Sequence, residues 1–304
     1  MVQDAVNRLN AHLVRSWLAC VCLCLSCVSN SLASVDICQE PIADPHLSIA
    51  YYQDEVSSIE RGLGEIKQEN YDFDLQFKSN NKWAFGAGHR YTILNVDRLE
   101  LQTNGHLHTF FLPVHRLSQA DRKSFRFSIA PTLSASSNVM EDPDEYVADA
   151  LQLLMALVWS RQISDQVGMR YGICGDHRFG SYQIYPLISV DWQPHPDWMI
   201  KLGFPASQLS YRVSKSLASL LRIAPDGNEW YVRDKSLEKQ SQLIYEAYAL
   251  EWAFSWQAHE HFTLTVSVGI QFHNRYEMTL LDDSRDRLSS ESVTRIGAGL
   301  AWHF

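Results

Sequence analysis

The chain has 304 residues, of which 46% are hydrophobic and 20% charged, and its formal net charge is −9. Its 35 Asp and Glu residues outnumber its 26 Lys and Arg residues. This acidic balance argues against a nucleic-acid partner, because a nucleic-acid surface needs a basic patch. It suits a protein that stays soluble in an aqueous compartment before it reaches a membrane.

The N-terminus has the three parts of a secretory signal peptide. A charged start precedes an apolar run over residues 17–28, and the small residues Ser31-Leu32-Ala33 follow. The run is too short to span a bilayer comfortably, so residues 1–33 are predicted to be a signal peptide cleaved after Ala33. A lipoprotein signal with Cys27 as the acylated residue is the alternative.

Four of the six cysteines lie in this predicted leader. The mature chain keeps Cys38 and Cys174, which allow one bridge at most. A disulfide and two unpaired thiols without a function are both consistent with the sequence.

Period-two alternation of apolar and small or polar residues recurs along the mature chain. It is clear at the C-terminus, where residues 295–304 place Ile296, Ala298, Leu300, Trp302 and Phe304 on one face. Such a strand suits a barrel that faces lipid outward and a wet lumen inward. Taken alone, the segment also fits a half-buried strand of a soluble sandwich.

The segments 247–256 and 262–272 form the clearest predicted hairpin, joined by a short turn at 257–259. Thirteen residues of extended strand cover about 40 Å, enough to cross a membrane at a tilt. The inward face is small and polar. Its candidate lumen-lining residues are Thr263, Thr265, Ser267, Gln271 and, on the last strand, Arg295.

These patterns predict an all-β fold, a closed antiparallel transmembrane barrel of about 12 strands, with 10 or 14 as alternatives. Residues 34–69 are an N-terminal extension or the first barrel elements, and residues 70–304 form the barrel. Segments 138–149 and 273–291 are predicted long loops. Tryptophans near strand ends indicate the aromatic girdles of such barrels; they are Trp159, Trp192, Trp198, Trp252, Trp256 and Trp302.

The stretch between residues 198 and 240 does not fit a simple up-and-down scheme. It contains four short candidate strands, at 198–204, 208–213, 217–224 and 229–233, which break the alternation of direction. Either one of them is a loop, or two of them form one bent strand.

Residues 178–213 carry a resemblance to a known family. The matching features are Tyr185-Pro186, the turn from Trp192-Gln193-Pro194 to Asp197-Trp198, Phe204-Pro205, and Leu209 with Tyr211. With the C-terminal residues 299–304 they resemble the DUF6268 group of bacterial outer-membrane β-barrel proteins. The resemblance implies a barrel in the bacterial outer membrane and no catalytic residues, because the family has no assigned activity.

No catalytic, cofactor or metal motif is recognised. His259 and His261 point to one face and could share a metal ion, as could His106 and His108, but exposed polar turns explain both pairs more simply. The run 141–145 is acidic enough for a divalent cation, and a solvated loop explains it better. No serine stands at an informative spacing from the loop residue His177. The chain is therefore not predicted to be an enzyme.

The expected function is passive, as a small channel or a structural barrel. A barrel of 12 strands is narrower than the 16–18-stranded porins, so inward side chains or the N-terminal segment could block it. A lipid-modifying enzyme at the rim or a ligand-binding barrel, using the loops 138–149 and 273–291, is the alternative. The expected partners are outer-membrane lipid and the outer-membrane assembly machinery, which would recognise the terminal aromatics Trp302 and Phe304.

Overall fold

The computed structural model describes residues 37–38, 45–59, 64–80, 82–97, 105–141, 150–234, 239–280 and 285–304. The predicted signal peptide at 1–33 lies outside the described residues, as does most of the segment 138–149. Within the described ranges, no helix has the length and apolar character needed to cross a membrane. The helix α1, at Ser137–Met140, has four residues, and strands make up most of the rest.

Eighteen hydrogen-bonded segments form one sheet, and four of the strands consist of two segments each, which gives 14 strands. In chain order they are β1 (His46–Asp54 and Ser57–Ser58), β2 (Glu65–Asn80), β3 (Trp83–Asp97), β4 (His106–Phe111 and Val114–Ala120), β5 (Lys123–Ser136), β6 (Leu151–Gln162), β7 (Val167–Asp176), β8 (Gln183–His195), β9 (Trp198–Phe204), β10 (Ser207–Arg212), β11 (Leu217–Pro225 and Asn228–Asp234), β12 (Lys239–His259), β13 (Phe262–Leu280) and β14 (Arg285–Ser290 and Val293–His303).

The sheet closes on itself. Each strand is antiparallel to the next along the chain, and β14 pairs with β1 from His46 opposite His303 to Asp54 opposite Arg295. Closure leaves no free edge strand in the ring, which is the condition for a sheet to span lipid. The predicted closed antiparallel barrel is confirmed, with 14 strands, the upper alternative, in place of the favoured 12.

The two short segments at 217–225 and 228–234 are one strand. Both pair with β12, and the strand is interrupted only at Asp226 and Gly227. This resolves the direction problem between residues 198 and 240, where two of the four candidates form one bent strand. Within the predicted segment 34–69, the structure places β1 and the first residues of β2.

The predicted long loop at 273–291 is wrong. Residues up to Leu280 belong to β13, and β14 begins at Arg285. The reason is a bulge at His273, whose φ is 60°. Because of this one extra residue, the inward-facing residues of β13 have odd numbers before the bulge and even numbers after it. The alternation visible in the sequence therefore breaks at the bulge, although the strand continues. The predicted turn at 257–259 is also displaced, because β12 runs to His259.

Short turns cluster at one end of the barrel. They join β2 to β3, β4 to β5, β6 to β7, β8 to β9, β10 to β11, and β12 to β13. The backbone N–H of Phe304 donates to the carbonyl of Pro45 at this same end. The wall of the barrel therefore begins and ends at the end with the short turns. The opposite end, here called the outer end, carries the longest connections and also the two-residue β9–β10 turn.

The polarity of the wall reverses along its height. The lower section of the wall is the part between the short turns and the level of the bulge at His273, and the outer section is the part beyond it. In the lower section, Val266 is 58% exposed on the outside, whereas Thr265 is 2% exposed and faces inward. In the outer section, charged pairs such as Arg287 with Glu277 lie outside. The inside there is an apolar core of Ile59, Ile66, Leu107, Trp230, Val232, Leu243, Tyr245, Ala247, Tyr276 and Met278. The lower section thus suits lipid, and the outer section suits water.

Candidate functional site: the barrel lumen

The five predicted lumen residues all lie on the inward face. Thr263, Thr265 and Gln271 are buried, and Ser267 shares their face on β13. Thr265 contacts Ser255 of β12 through hydroxyl oxygens 3.0 Å apart. The structure therefore separates the two threonines, which line the lower wall, from Gln271 and Arg295, which meet at a common partner.

That partner is Asp226, at the interruption of β11. Its backbone N–H donates to the carbonyl of Ala247. Its carboxylate accepts a bond of 2.6 Å from Arg295 Nη1 and one of 2.7 Å from Gln271 Nε2. Arg90 Nη1 lies 3.9 Å from the other carboxylate oxygen. Because Arg90 is on β3, six strands from β11 around the ring, the carboxylate links facing parts of the wall.

Gly227 makes this interruption possible. A Cβ at this position would lie 2.6 Å from the carbonyl oxygen of Arg178 and 2.6 Å from the nitrogen of Gly180. Both of these backbone atoms belong to the β7–β8 connection, which packs directly against β11. Any larger residue at position 227 would push the connection away, so glycine fixes the place where Asp226 turns into the lumen.

Each arginine is also held from its other side. Arg90 donates twice to Asp72, at 2.8 and 2.8 Å. Arg295 donates twice to Asp54, at 2.6 and 3.0 Å. Bidentate bonds of this kind fix the guanidinium plane, and buried charges are tolerated when they are paired in this way. The centre of the lumen is therefore crossed by a fixed network of two guanidinium groups and three carboxylates.

The outer part of the lumen is closed by direct contact of facing walls. Trp230 Nε1 donates to Thr109 Oγ1 at 3.1 Å, and Asn228 Nδ2 donates to the same oxygen at 2.9 Å. Thr109 lies on β4, seven strands from β11 in a ring of 14, which is the opposite wall. Next to it, Tyr231 pairs with Ala135 of β5 in parallel orientation. The outer half of β11 thus folds across the barrel.

The N-terminal residues Ile37 and Cys38 lie inside the barrel as well. Both are buried, and Arg126 Nη2 donates to the carbonyl of Cys38 at 2.9 Å. Cys38 forms a disulfide with Cys174 of β7, with a Cα–Cα distance of 5.9 Å. The sequence left open whether Cys38 and Cys174 form a disulfide or remain unpaired thiols, and in the structure they form a disulfide.

A polar cavity of about 80 Å³ remains between these closures. Its lining includes Arg90, Asp226, Arg222 and His177. His177 Nδ1 lies 3.0 Å from a carboxylate oxygen of Glu229. The cavity has room for a few water molecules rather than for a hydrated solute.

A tyrosine also contacts His177 at the outer end of the barrel. Tyr182 lies in the β7–β8 connection, and its ring contacts His177 edge-on with centroids 5.3 Å apart. Burial, followed by the nearby carboxylate of Asp176, raises the pKa of the Tyr182 phenol.

The structure gives the histidines of both pairs partners within the protein. His106 contacts the hydroxyl of Tyr91, and a ring nitrogen of His108 lies 3.1 Å from one of His89. In the exposed β12–β13 turn, His261 Nδ1 bonds the carbonyl of His303. In the described part of the chain, the group of metal-ligating residues that lie together is Cys38, Cys174 and Asp176, and its sulfurs are in the disulfide.

The terminal aromatics lie on the outer surface at the short-turn end. Trp302 stacks on Phe262 with ring centroids 5.6 Å apart, and Phe304 is 59% exposed. Their assigned role, recognition by the assembly machinery, stays a prediction.

Sequence reasoning missed the residues that close the lumen, above all Asp226, Arg90 and Trp230. One local signal was present, since Pro225-Asp226-Gly227 is a turn signature between two short strands. The partners of Asp226 give no such signal, because Arg90 and Arg295 lie far from it in the chain.

Residues 39–281 match the family described as "Domain of unknown function (DUF6268)". No curated protein matches the chain. Among solved structures, the KdgM porin aligns over 84% of this chain and 99% of its own, at 10% identity and a TM-score of 0.38. The Pseudomonas putida toluene transporter TodX aligns over 86% of this chain and 89% of its own, at 11% identity and a TM-score of 0.37. A bacterial polysaccharide outer membrane secretin aligns over 87% of this chain and 100% of its own, at 9% identity and a TM-score of 0.40.

Proposed function

Because the chain belongs to the DUF6268 family and folds as a barrel with an apolar outer belt and a crossed lumen, we propose that it is a passive outer-membrane barrel that is closed at rest. The observation that carries this proposal is the contact of opposite walls, where Trp230 and Asn228 of β11 both donate to Thr109 of β4. Solute passage would require the outer half of β11 to leave the opposite wall.

The described residues offer no support for the rim enzyme. The predicted loop 273–291 is mostly strand, and in the described chain His177 faces the carboxylate of Glu229 in a small cavity. The lumen of a passive barrel needs no catalytic constellation, and the two arginines at its centre are paired with Asp72 and Asp54.

Planar-bilayer conductance of the purified protein tests the proposal. We expect long closed periods for the natural chain. Thr109→Val keeps the side-chain volume but removes the acceptor of two hydrogen bonds. At about 1 kcal/mol each, their loss shifts the open-to-closed ratio by roughly 30-fold, so open steps should become frequent.

Thr263→Val is the matched control, because Thr263 also faces inward but lies outside the contact between opposite walls. It should leave the conductance of the natural chain unchanged. Large and stable open steps from the natural chain would contradict the closed state. Turnover of phospholipid or lipopolysaccharide by the same preparation would contradict the passive role.

A further inference from the structure

The disulfide is sealed inside the barrel. Cys38 is 2% exposed and Cys174 is 1% exposed. Cys174 is an inward residue of β7, and its backbone is paired on one side with Ala156 of β6 and on the other with Tyr185 of β8. The wall is therefore continuous where the sulfur lies behind it.

The sulfurs are closely surrounded, and the cavity that Cys38 lines in the described chain is about 30 Å³, too small for an attacking protein. Ile37, Ala130, Ala156, Val158 and Leu187 form one buried cluster with the two cysteines and Tyr185. Tyr185 donates to the carboxylate of Asp176 at 2.8 Å, and that carboxylate lies 3.2 Å from Cys38 Sγ. Thiol–disulfide exchange needs the attacking sulfur of the enzyme to approach the chain's sulfur directly, and these neighbours leave room for no more than small molecules.

An oxidising protein cannot reach this position through the open end of the barrel either. Fourteen strands about 4.8 Å apart give a mean backbone diameter of roughly 25–30 Å, before the inward side chains are subtracted. A folded domain of about 100 residues has a radius of gyration of about 13 Å and would not fit. The exchange partner of these thiols must therefore meet them in an unclosed chain.

We infer that the Cys38–Cys174 disulfide is made before the barrel closes, by a thiol–disulfide oxidoreductase that acts on the unfolded chain. One cysteine thiolate attacks the active-site disulfide of the oxidoreductase and forms a mixed disulfide. The second thiolate then attacks the chain's own sulfur and releases the reduced enzyme. The chain loses two protons and two electrons, and the enzyme disulfide gains both and becomes a dithiol.

Two features of the chain fit this order of events. The cysteines are 136 residues apart, so they meet slowly in an unfolded chain, and a mixed disulfide keeps the first one activated until the second arrives. The predicted mature chain has no other cysteine, so an intramolecular exchange has one product. The inference does not depend on whether the barrel conducts.

The test compares the same oxidant on the unfolded and the folded chain. The mature chain is reduced in urea, and half of it is folded into detergent in the presence of a reductant. After the reductant is removed, both halves receive an oxidised thiol oxidoreductase of the thioredoxin fold. Remaining thiols are counted after acid quench by the gel shift of a maleimide–polyethylene glycol.

The folded reduced barrel should lose its thiols at least about tenfold more slowly than the unfolded chain. Equal rates would overturn the inference. The control is a chain with Cys38→Ser and Cys174→Ser that carries His259→Cys and Phe262→Cys, which are opposite each other at the exposed β12–β13 turn. This pair should react in the folded barrel, which shows that the enzyme acts on folded barrels.

A pulse–chase experiment in cells tests the order of oxidation and barrel closure without refolding of purified protein. Oxidation of the natural chain should precede the appearance of the heat-modifiable barrel band on unboiled gels. Barrel bands that first appear with free thiols and later become oxidised would refute the inference.

Discussion

Val266 lies in the lower section of β13 with its side chain directed out of the barrel, and it is surrounded along the strand by other exposed apolar residues. Val266→Arg should lower the free energy of unfolding by about 2–4 kcal/mol in lipid, because the charge would lie near mid-bilayer. Urea titration of the protein in phospholipid vesicles measures this difference.

Gln242→Arg is the matched control. Gln242 also points outward and is exposed, but it belongs to the outer section of β12, beside charged residues such as Glu246. Its replacement should change stability by no more than about 0.5 kcal/mol. Similar losses at both positions would refute the boundary between the lipid-facing and water-facing sections of the wall.

Phe304 is the residue where the assembly role is tested. In the finished barrel its N–H is bonded to the carbonyl of Pro45, and residues 295–303 of β14 are paired with β1. Before closure, β14 is an unpaired edge strand that can add to a strand of the assembly machinery. Deletion of Phe304 should reduce the amount of assembled, heat-modifiable barrel in the membrane.

The control for this prediction is deletion of Phe304 from purified protein folded into detergent. Folding there needs no machinery, so the yield of barrel should stay the same. A normal assembled level of the deletion variant in cells would show that Phe304 has no part in recognition.

At the scale of elements, the outer half of β11 carries the core of the outer section. Trp230 is 2% exposed and packs among residues of β2, β4 and β12. Trp230→Ala should cost about 3–5 kcal/mol, because a large cavity opens between facing walls. Amide hydrogen exchange should show the loss in β4 and β11 first.

Trp230→Phe separates packing from the hydrogen bond in this element. It keeps most of the apolar volume and removes only the bond to Thr109, so the cost should be about 1 kcal/mol. If alanine and phenylalanine gave equal losses, packing across the lumen would not be what holds β11 in place.

At the scale of the whole molecule, the disulfide joins the segment before β1 to β7, in the middle of the chain. Replacing both partners, Cys38→Ser with Cys174→Ser, should lower the free energy of unfolding by about 2–5 kcal/mol, because the unfolded chain loses a long covalent loop. Urea unfolding in detergent measures it. A natural chain that is reduced in urea and then folded in the presence of a reductant should show the same loss, and this treatment should leave the double variant unchanged.

Much of the barrel could be predicted from the sequence, because the requirement for an apolar side chain applies to each lipid-facing position separately. A residue that faces lipid must be apolar whatever its neighbours are, so period-two alternation identifies β2, β5 and β13. β3 and β4 lacked that signal. Ala87 and His89 interrupt the outward face of β3, and Leu112-Pro113 interrupts β4.

The sequence by itself determined the closed antiparallel barrel, the inward position of Thr263, Gln271 and Arg295, and the lack of a catalytic motif. The tertiary structure alone decided what happens inside the lumen. Asp226 meets Arg295 across 69 positions of the chain, and Cys38 meets Cys174 across 136. Strand number and register determine which inward side chains face each other across the lumen. Contacts of this kind leave no periodic pattern in the sequence.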